Sequence, residues 1–154
     1  MLRTHIALIV LFILLFLPHI SGVTGKVVFT VIALLATLMP DIDNAFSVIG
    51  KHKAFRFFQL FIKHRGFLHS LTFCIVVAGI LAVFLPVTAL PFFLGYSIHV
   101  FSDSFTVEGV MPFWPYRKKS MWRLKTGGRI ETTIFIFIIL FDIFFFIFLI
   151  KNII

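Results

Sequence analysis

Residues 40–70 read PDIDNAFSVIGKHKAFRFFQLFIKHRGFLHS. Asp41 and Asp43 stand at one end, His64 and His69 at the other, and five Lys/Arg lie between Asp43 and Gly66. An apolar run from about Val27 to Met39 leads in, and another from Phe67 to Leu85 leads out. A basic, polar stretch between two such runs reads as a loop joining two membrane spans. Its carboxylates and imidazoles fall where the chain leaves and re-enters lipid.

The 154 residues are 60% hydrophobic, with mean hydropathy +1.11 and 23 phenylalanines. Folding a soluble domain of this size leaves roughly a third of the unfolded chain's surface exposed. This composition cannot supply that surface with polar groups, so lipid must cover it. The length is that of one domain, residues 1–154. The single cysteine, Cys74, excludes a disulfide framework and a thiolate metal cluster. It lies in an apolar run and reads as a small buried hydrophobe.

Five apolar segments are expected to be helices, giving an all-α polytopic membrane helix bundle with about five transmembrane helices. The first runs from about His5 to Ile20. Its basic start resembles a signal peptide, but no small-residue cleavage site follows, so it reads as a retained span. Ser21 to Lys26 is expected to be a turn. The second segment, Val27 to Met39, would be about 20 Å long as a helix, short for a hydrocarbon core of about 30 Å. Phe67 to Leu85 reads as a full-length span and Pro86 to Pro91 as a tight reversal. Phe92 to Phe105 is the fourth span, Arg117 to Arg129 a basic loop, and Ile130 to Ile150 the fifth span. In lipid the backbone must satisfy its own hydrogen bonds, and the period-2 alternation of a membrane barrel is absent, so helices are favoured over strands.

Alternating across five spans puts 12 of the 14 Lys/Arg on the side of Arg3, leaving Lys26 and Lys151 opposite. The positive-inside rule makes the Arg3 side cytoplasmic and the N-terminus cytoplasmic, as for a multi-pass protein of the cell (inner) membrane.

The acids and histidines collect on that same side. His5 opens the first span, Asp41 and Asp43 close the second, and His64 and His69 precede and open the third. His99 and Asp103 lie near the end of the fourth, and Glu131 opens the fifth. His99 and Asp103 are spaced i, i+4 and share a helix face, with Tyr96 beside them. A carboxylate near lipid is costly, about 2.5–3.5 kcal/mol at mid-bilayer on insertion scales. A metal or a partner would remove that cost. Imidazole plus carboxylate without sulfur suits Zn, Mn or Fe. Each pair alone is a weak signal, and the convergence carries the reading. Asp142 lies several turns beyond Glu131, too far along its helix to join this set. His19 and His52 read as interfacial and loop residues.

Four stretches carry a family resemblance: PDIDNAF at 40–46, HRGFLHS at 64–70, GYSIHVFSDSFTVEGVMPFWP at 95–115 and KTGGRIE at 125–131. Together they resemble the YdjM-type, LexA-regulated inner-membrane family of membrane-bound metal-dependent hydrolases. The resemblance covers essentially the whole chain. It implies a polar site of His5, Asp41, Asp43, His64, His69, His99, Asp103 and Glu131, framed by Arg65, Gly66 and Ser70. Asn44 stands where the family's pattern has His after PDID, and Leu68 where it has Thr. A more distant similarity, to zinc-dependent phospholipase C proteins, implies phosphoester substrates.

The expected function is therefore metal-dependent hydrolysis at the membrane interface, with a divalent transition metal, Zn first, as cofactor. Asp43 or Glu131 would act as general base, and Arg65 would clamp an anionic oxygen of a phospholipid or lipid-linked substrate. The rival readings are a metal- or ion-handling transporter, favoured by intramembrane acids such as Asp142, and a structural membrane protein with a relict site. Nucleic acid is not an expected partner, because topology accounts for the basic residues.

Overall fold

A computed structural model describes residues 1–43 and 65–153. The expected all-α membrane bundle is found. Five helices appear among the described residues: α1 Leu2–Phe16, α2 Val23–Leu38, α3 Leu71–Phe84, α4 Pro86–Ser104 and α5 Arg129–Ile153. Among the described residues, three stretches, Leu2–His19, Val23–Asp43 and Arg129–Lys151, are long and apolar enough to cross a membrane.

Proline and glycine set the helix ends. After α1, Leu17–His19 tightens into a 3-10 turn with Pro18 near its start. Gly22 then takes φ 71°, which glycine adopts without steric cost, and α2 follows at once. The expected turn over Ser21–Lys26 is thus too long, because α2 begins at Val23. Pro40 cannot continue a helix interior, and PDID itself forms a 3-10 turn at Pro40–Asp43.

The third segment also differs from expectation. Phe67–His69 is a 3-10 turn, and α3 has only 14 residues, so it is no full-length span. Ser70 is the reason it starts where it does. Its Oγ accepts from the Phe73 amide at 3.1 Å, and the Pro112 carbonyl accepts from the Leu71 amide at 2.7 Å. These bonds satisfy donors that a helix start leaves open. The expected reversal over Pro86–Pro91 is a single residue, Leu85. Pro86 already occupies the first turn of α4, where its missing N–H costs nothing, and Pro91 lies inside the helix.

The helices alternate in direction. Thr4 and His5 at the start of α1 meet Glu131 at the start of α5 and Asp103 at the end of α4. Thr37 at the end of α2 meets His99 near the end of α4. One end of the bundle thus gathers two helix ends and three helix starts.

The core lies between α2, α3 and α4, where Ala36, Cys74, Phe92, Tyr96 and Val100 pack together. Cys74 is buried, as expected. The outer faces are exposed hydrocarbon, with Ile75, Ile80 and Val83 on α3 and Phe137, Phe141 and Phe144 on α5. Exposed apolar surface on this scale belongs against lipid. The segment from 105 to 128 folds back over the gathered end, held by isolated bridges Thr106–Leu124 and Val110–Ser120.

Candidate metal centre

The centre is built from a close helix crossing. A Cβ at Gly95 would stand 2.2 Å from the Ala33 carbonyl oxygen, so only glycine allows α2 and α4 to approach this closely. Thr37 Oγ1 donates across the same crossing to the Gly95 carbonyl at 3.1 Å. One turn later, His99 Nδ1 donates to the Thr37 carbonyl at 2.7 Å. That carbonyl is one of those left open at a helix C-terminus.

A carbonyl can only accept, so His99 carries its proton on Nδ1 and turns a bare Nε2 lone pair inward in its neutral form. His99 Nε2 is buried and has no hydrogen-bond partner among the described residues. It faces Asp41 Oδ1 at 3.8 Å and Asp103 Oδ2 at 3.7 Å. A lone pair facing two carboxylate oxygens is repulsive unless a cation or a proton lies between them.

His69 is arranged in the same way. Its Nδ1 lies 3.1 Å from Asp43 Oδ2, and its Nε2 lies 3.7 Å from Asp103 Oδ2. A carboxylate on the far nitrogen is the usual support for a metal-ligating imidazole, since it fixes ring orientation and raises basicity. Asp43 Oδ2 also accepts from the Arg65 amide at 3.2 Å. His5 completes the group, with Nε2 3.3 Å from Asp103 Oδ1 and its ring stacked on His99 at 4.3 Å between centroids.

Two sets of donors are found, His5, His99 and Asp103, and Asp41, His69 and His99, the donor atoms within each set lying within 4.8 Å of one another. Donors bound to one tetrahedral ion at 2.0–2.2 Å sit about 3.4 Å apart, so the separations fit a metal after small adjustments. Charge fits as well. Asp103 shares the Arg65 guanidinium with Glu108, and the His99 Nε2 lone pair faces both Asp41 and Asp103. A divalent cation between these groups would offset their repulsion.

Arg65 braces the centre from the side. Nη2 lies 3.5 Å from Asp103 Oδ2 and 3.3 Å from Glu108 Oε2, and Nη1 donates to Thr106 Oγ1 at 2.9 Å and to the Gly109 carbonyl at 3.3 Å. Its backbone takes φ 59°, a left-handed conformation costly for a residue with a Cβ. That turn lets its amide reach Asp43 while its side chain reaches Asp103. Tyr96 supports the same corner by donating its hydroxyl to the Leu68 carbonyl.

Of the expected site residues, His5, Asp41, His69, His99 and Asp103 come together as donors. Asp43 stands behind His69 rather than in either donor set. Glu131 lies in neither set. Its carboxylate accepts from Thr4 Oγ1 at 2.7 Å and from the Gly127 amide, and Oε1 lies 3.8 Å from the Met1 amine. It thereby ties the start of α5 to the turn of α1 that carries His5. His64, His52 and Asn44 lie outside the described residues. The sequence reading missed Thr37 and Thr106, whose roles depend on a backbone carbonyl and on a hydroxyl bridging to Arg65. Gly95, inside GYSIH, was the one local signal of a close backbone approach.

A helical membrane protein with a buried His/Asp centre at one end of its bundle is the class this fold and site define. The chain belongs to the YdjM inner membrane protein family, whose family model matches residues 1–153. Neither the curated proteins nor the solved structures contain a match.

Proposed function

We propose that the protein is a metal-dependent hydrolase of the inner membrane, acting on a phosphoester or lipid-linked substrate at the cytoplasmic interface, with the N-terminus cytoplasmic. The observation that carries this reading is the inward Nε2 of His99, buried, locked by Thr37 and facing two carboxylates. Histidines locked in this way are prepared to bind a cation.

In this reading His5, Asp41, His69, His99 and Asp103 hold the ion, zinc first and manganese or iron next in suitability. A bound divalent ion supplies Lewis acidity toward a phosphoryl or acyl oxygen and lowers the pKa of water. Asp43 holds the His69 ring in orientation through Nδ1. Arg65 holds the Asp103 carboxylate in place and adds positive charge beside any anionic group arriving there.

Metal analysis of the purified protein beside Asp103→Asn and His99→Ala tests the proposal. The wild type should carry a transition metal and both variants should lose it. Wild-type protein that takes up no transition metal after reconstitution would sink the reading.

One observation favours a second reading, ion handling. Asp142 is 7% exposed, and neither carboxylate oxygen has a hydrogen-bond partner among the described residues. It lies eleven residues beyond Glu131, about 16 Å along α5, and intramembrane acids often mark ion pathways. Metal uptake into proteoliposomes that Asp142→Asn abolishes would favour it over hydrolysis.

A further inference from the structure

Beside the His/Asp centre, α1, α4 and α5 line a half-open cavity of about 630 Å³. Leu8 and Phe12 line it from α1, Leu94 and Ile98 from α4, and Ile134 from α5. Trp122 and Leu124 line it toward the end that carries Thr106 and Arg65. Its size is that of a ligand pocket, about 300–1,000 Å³.

The wall offers nothing to a polar ligand. The Ser97 and Ser102 hydroxyls donate to the Leu94 and Ile98 carbonyls of their own helix. Thr4 and Glu131 are bonded to each other. A slot of this kind between membrane helices is filled by hydrocarbon, because the surrounding bilayer core supplies little else.

The end of the slot is different. Thr4 and Ser102 line it and are followed directly in the chain by His5 and Asp103 of the centre. Arg123 and Lys125, both exposed, flank Leu124 at the same end. A chain lying in the slot would therefore bring its head group to cations and to the centre together.

We propose that this cavity seats one acyl chain of an anionic phospholipid whose phosphate head lies at the His/Asp centre. The proposal rests on the hydrolase reading for its significance, since it names the substrate class of that site. Arg123 and Lys125 would favour an anionic head over a zwitterionic one.

The test is native mass spectrometry of the full chain. Protein would be released from detergent micelles containing equal phosphatidylglycerol and phosphatidylcholine, with metal content measured in parallel. The wild type should retain one phosphatidylglycerol per chain. Ser97→Trp, which fills the slot, should lower retention by at least about tenfold and leave the metal-to-protein ratio unchanged. Retention of neither lipid, of both equally, or of undiminished lipid by folded Ser97→Trp would overturn the proposal. Should that variant not fold, wild-type photolabelling with a diazirine-bearing acyl chain of phosphatidylglycerol decides. Label on Ile98 or Ile134 supports the slot, and label confined to the outer face of α3 overturns it. Metal lost with lipid retained defeats the hydrolase reading alone, whereas metal retained with lipid absent defeats this one alone.

Discussion

His99 reaches the Thr37 carbonyl at 2.7 Å only because Gly95, one turn earlier, lets α2 and α4 touch backbone to backbone. Gly95→Ala sets two effects against each other. Alanine gains about 1 kcal/mol of helix propensity, but its Cβ would sit 2.2 Å from the Ala33 oxygen. Overpacking typically costs about 1–3 kcal/mol, and here the obstacle is backbone, which cannot rotate away. We expect a net loss of stability and weaker metal retention, read by thermal unfolding in detergent and by metal analysis. An unchanged melting temperature would mean the crossing is looser than described.

Asp43 acts through His69 and through the Arg65 amide, both bonded to the same Oδ2. Asp43→Asn keeps the shape but removes the charged partner of the imidazole Nδ1. Losing such a support typically costs 10–100-fold in metal affinity, about that range being expected here. A zinc titration of the two proteins measures it. Equal affinity would show that Asp43 serves only the fold of the turn.

His99 Nε2 turns its lone pair toward Asp41 and Asp103, so the folded protein should be less stable without a cation between them. A ligand at a hundred times its Kd stabilises the state that binds it by about 2.7 kcal/mol. Chelation should lower the melting temperature of the wild type, and zinc should restore it. Asp103→Asn, with one charge fewer, should show a smaller response to both. A chelator that leaves the wild type unmoved would remove the electrostatic argument.

Much of the fold was legible because lipid imposes simple rules. Apolar length marks the helices, and Pro18, Pro40 and Pro86 mark ends. What the sequence hid were caps and short-range geometry. Phe67–His69 looked like part of a long span because Phe and Leu are as apolar in a 3-10 turn as in a helix. Ser70 was the signal against that, as a residue that prefers a helix start. In the centre, i, i+4 spacing revealed His99 with Asp103, and the common membrane level revealed His5, Asp41 and His69. That same level also drew in Glu131, because counting along a helix says nothing about rotation around it. Glu131 faces α1, where it bonds Thr4. Arg65 looked like a substrate clamp because nothing in the sequence shows which acceptors a guanidinium already holds.

Arg65 offers the sharpest comparison, because its backbone and side chain can be tested apart. In its left-handed conformation, φ 59°, a Cβ costs roughly 1–2 kcal/mol that glycine does not incur. Arg65→Ala loses the brace and keeps that cost, whereas Arg65→Gly loses the brace and sheds it. We therefore expect Arg65→Gly to melt higher than Arg65→Ala, although glycine is the more flexible residue when unfolded. Metal affinity should fall similarly in both, because both free the Asp103 carboxylate from Nη2. Arg65→Lys should fall between wild type and alanine in affinity, since an ammonium keeps the charge but cannot reach Asp103, Glu108 and Thr106 with one planar fork. Thermal unfolding and zinc titration on the four proteins would read both orders. A metal affinity untouched in all three variants would mean that the guanidinium holds the 105–109 segment and leaves the centre to the histidines and aspartates alone.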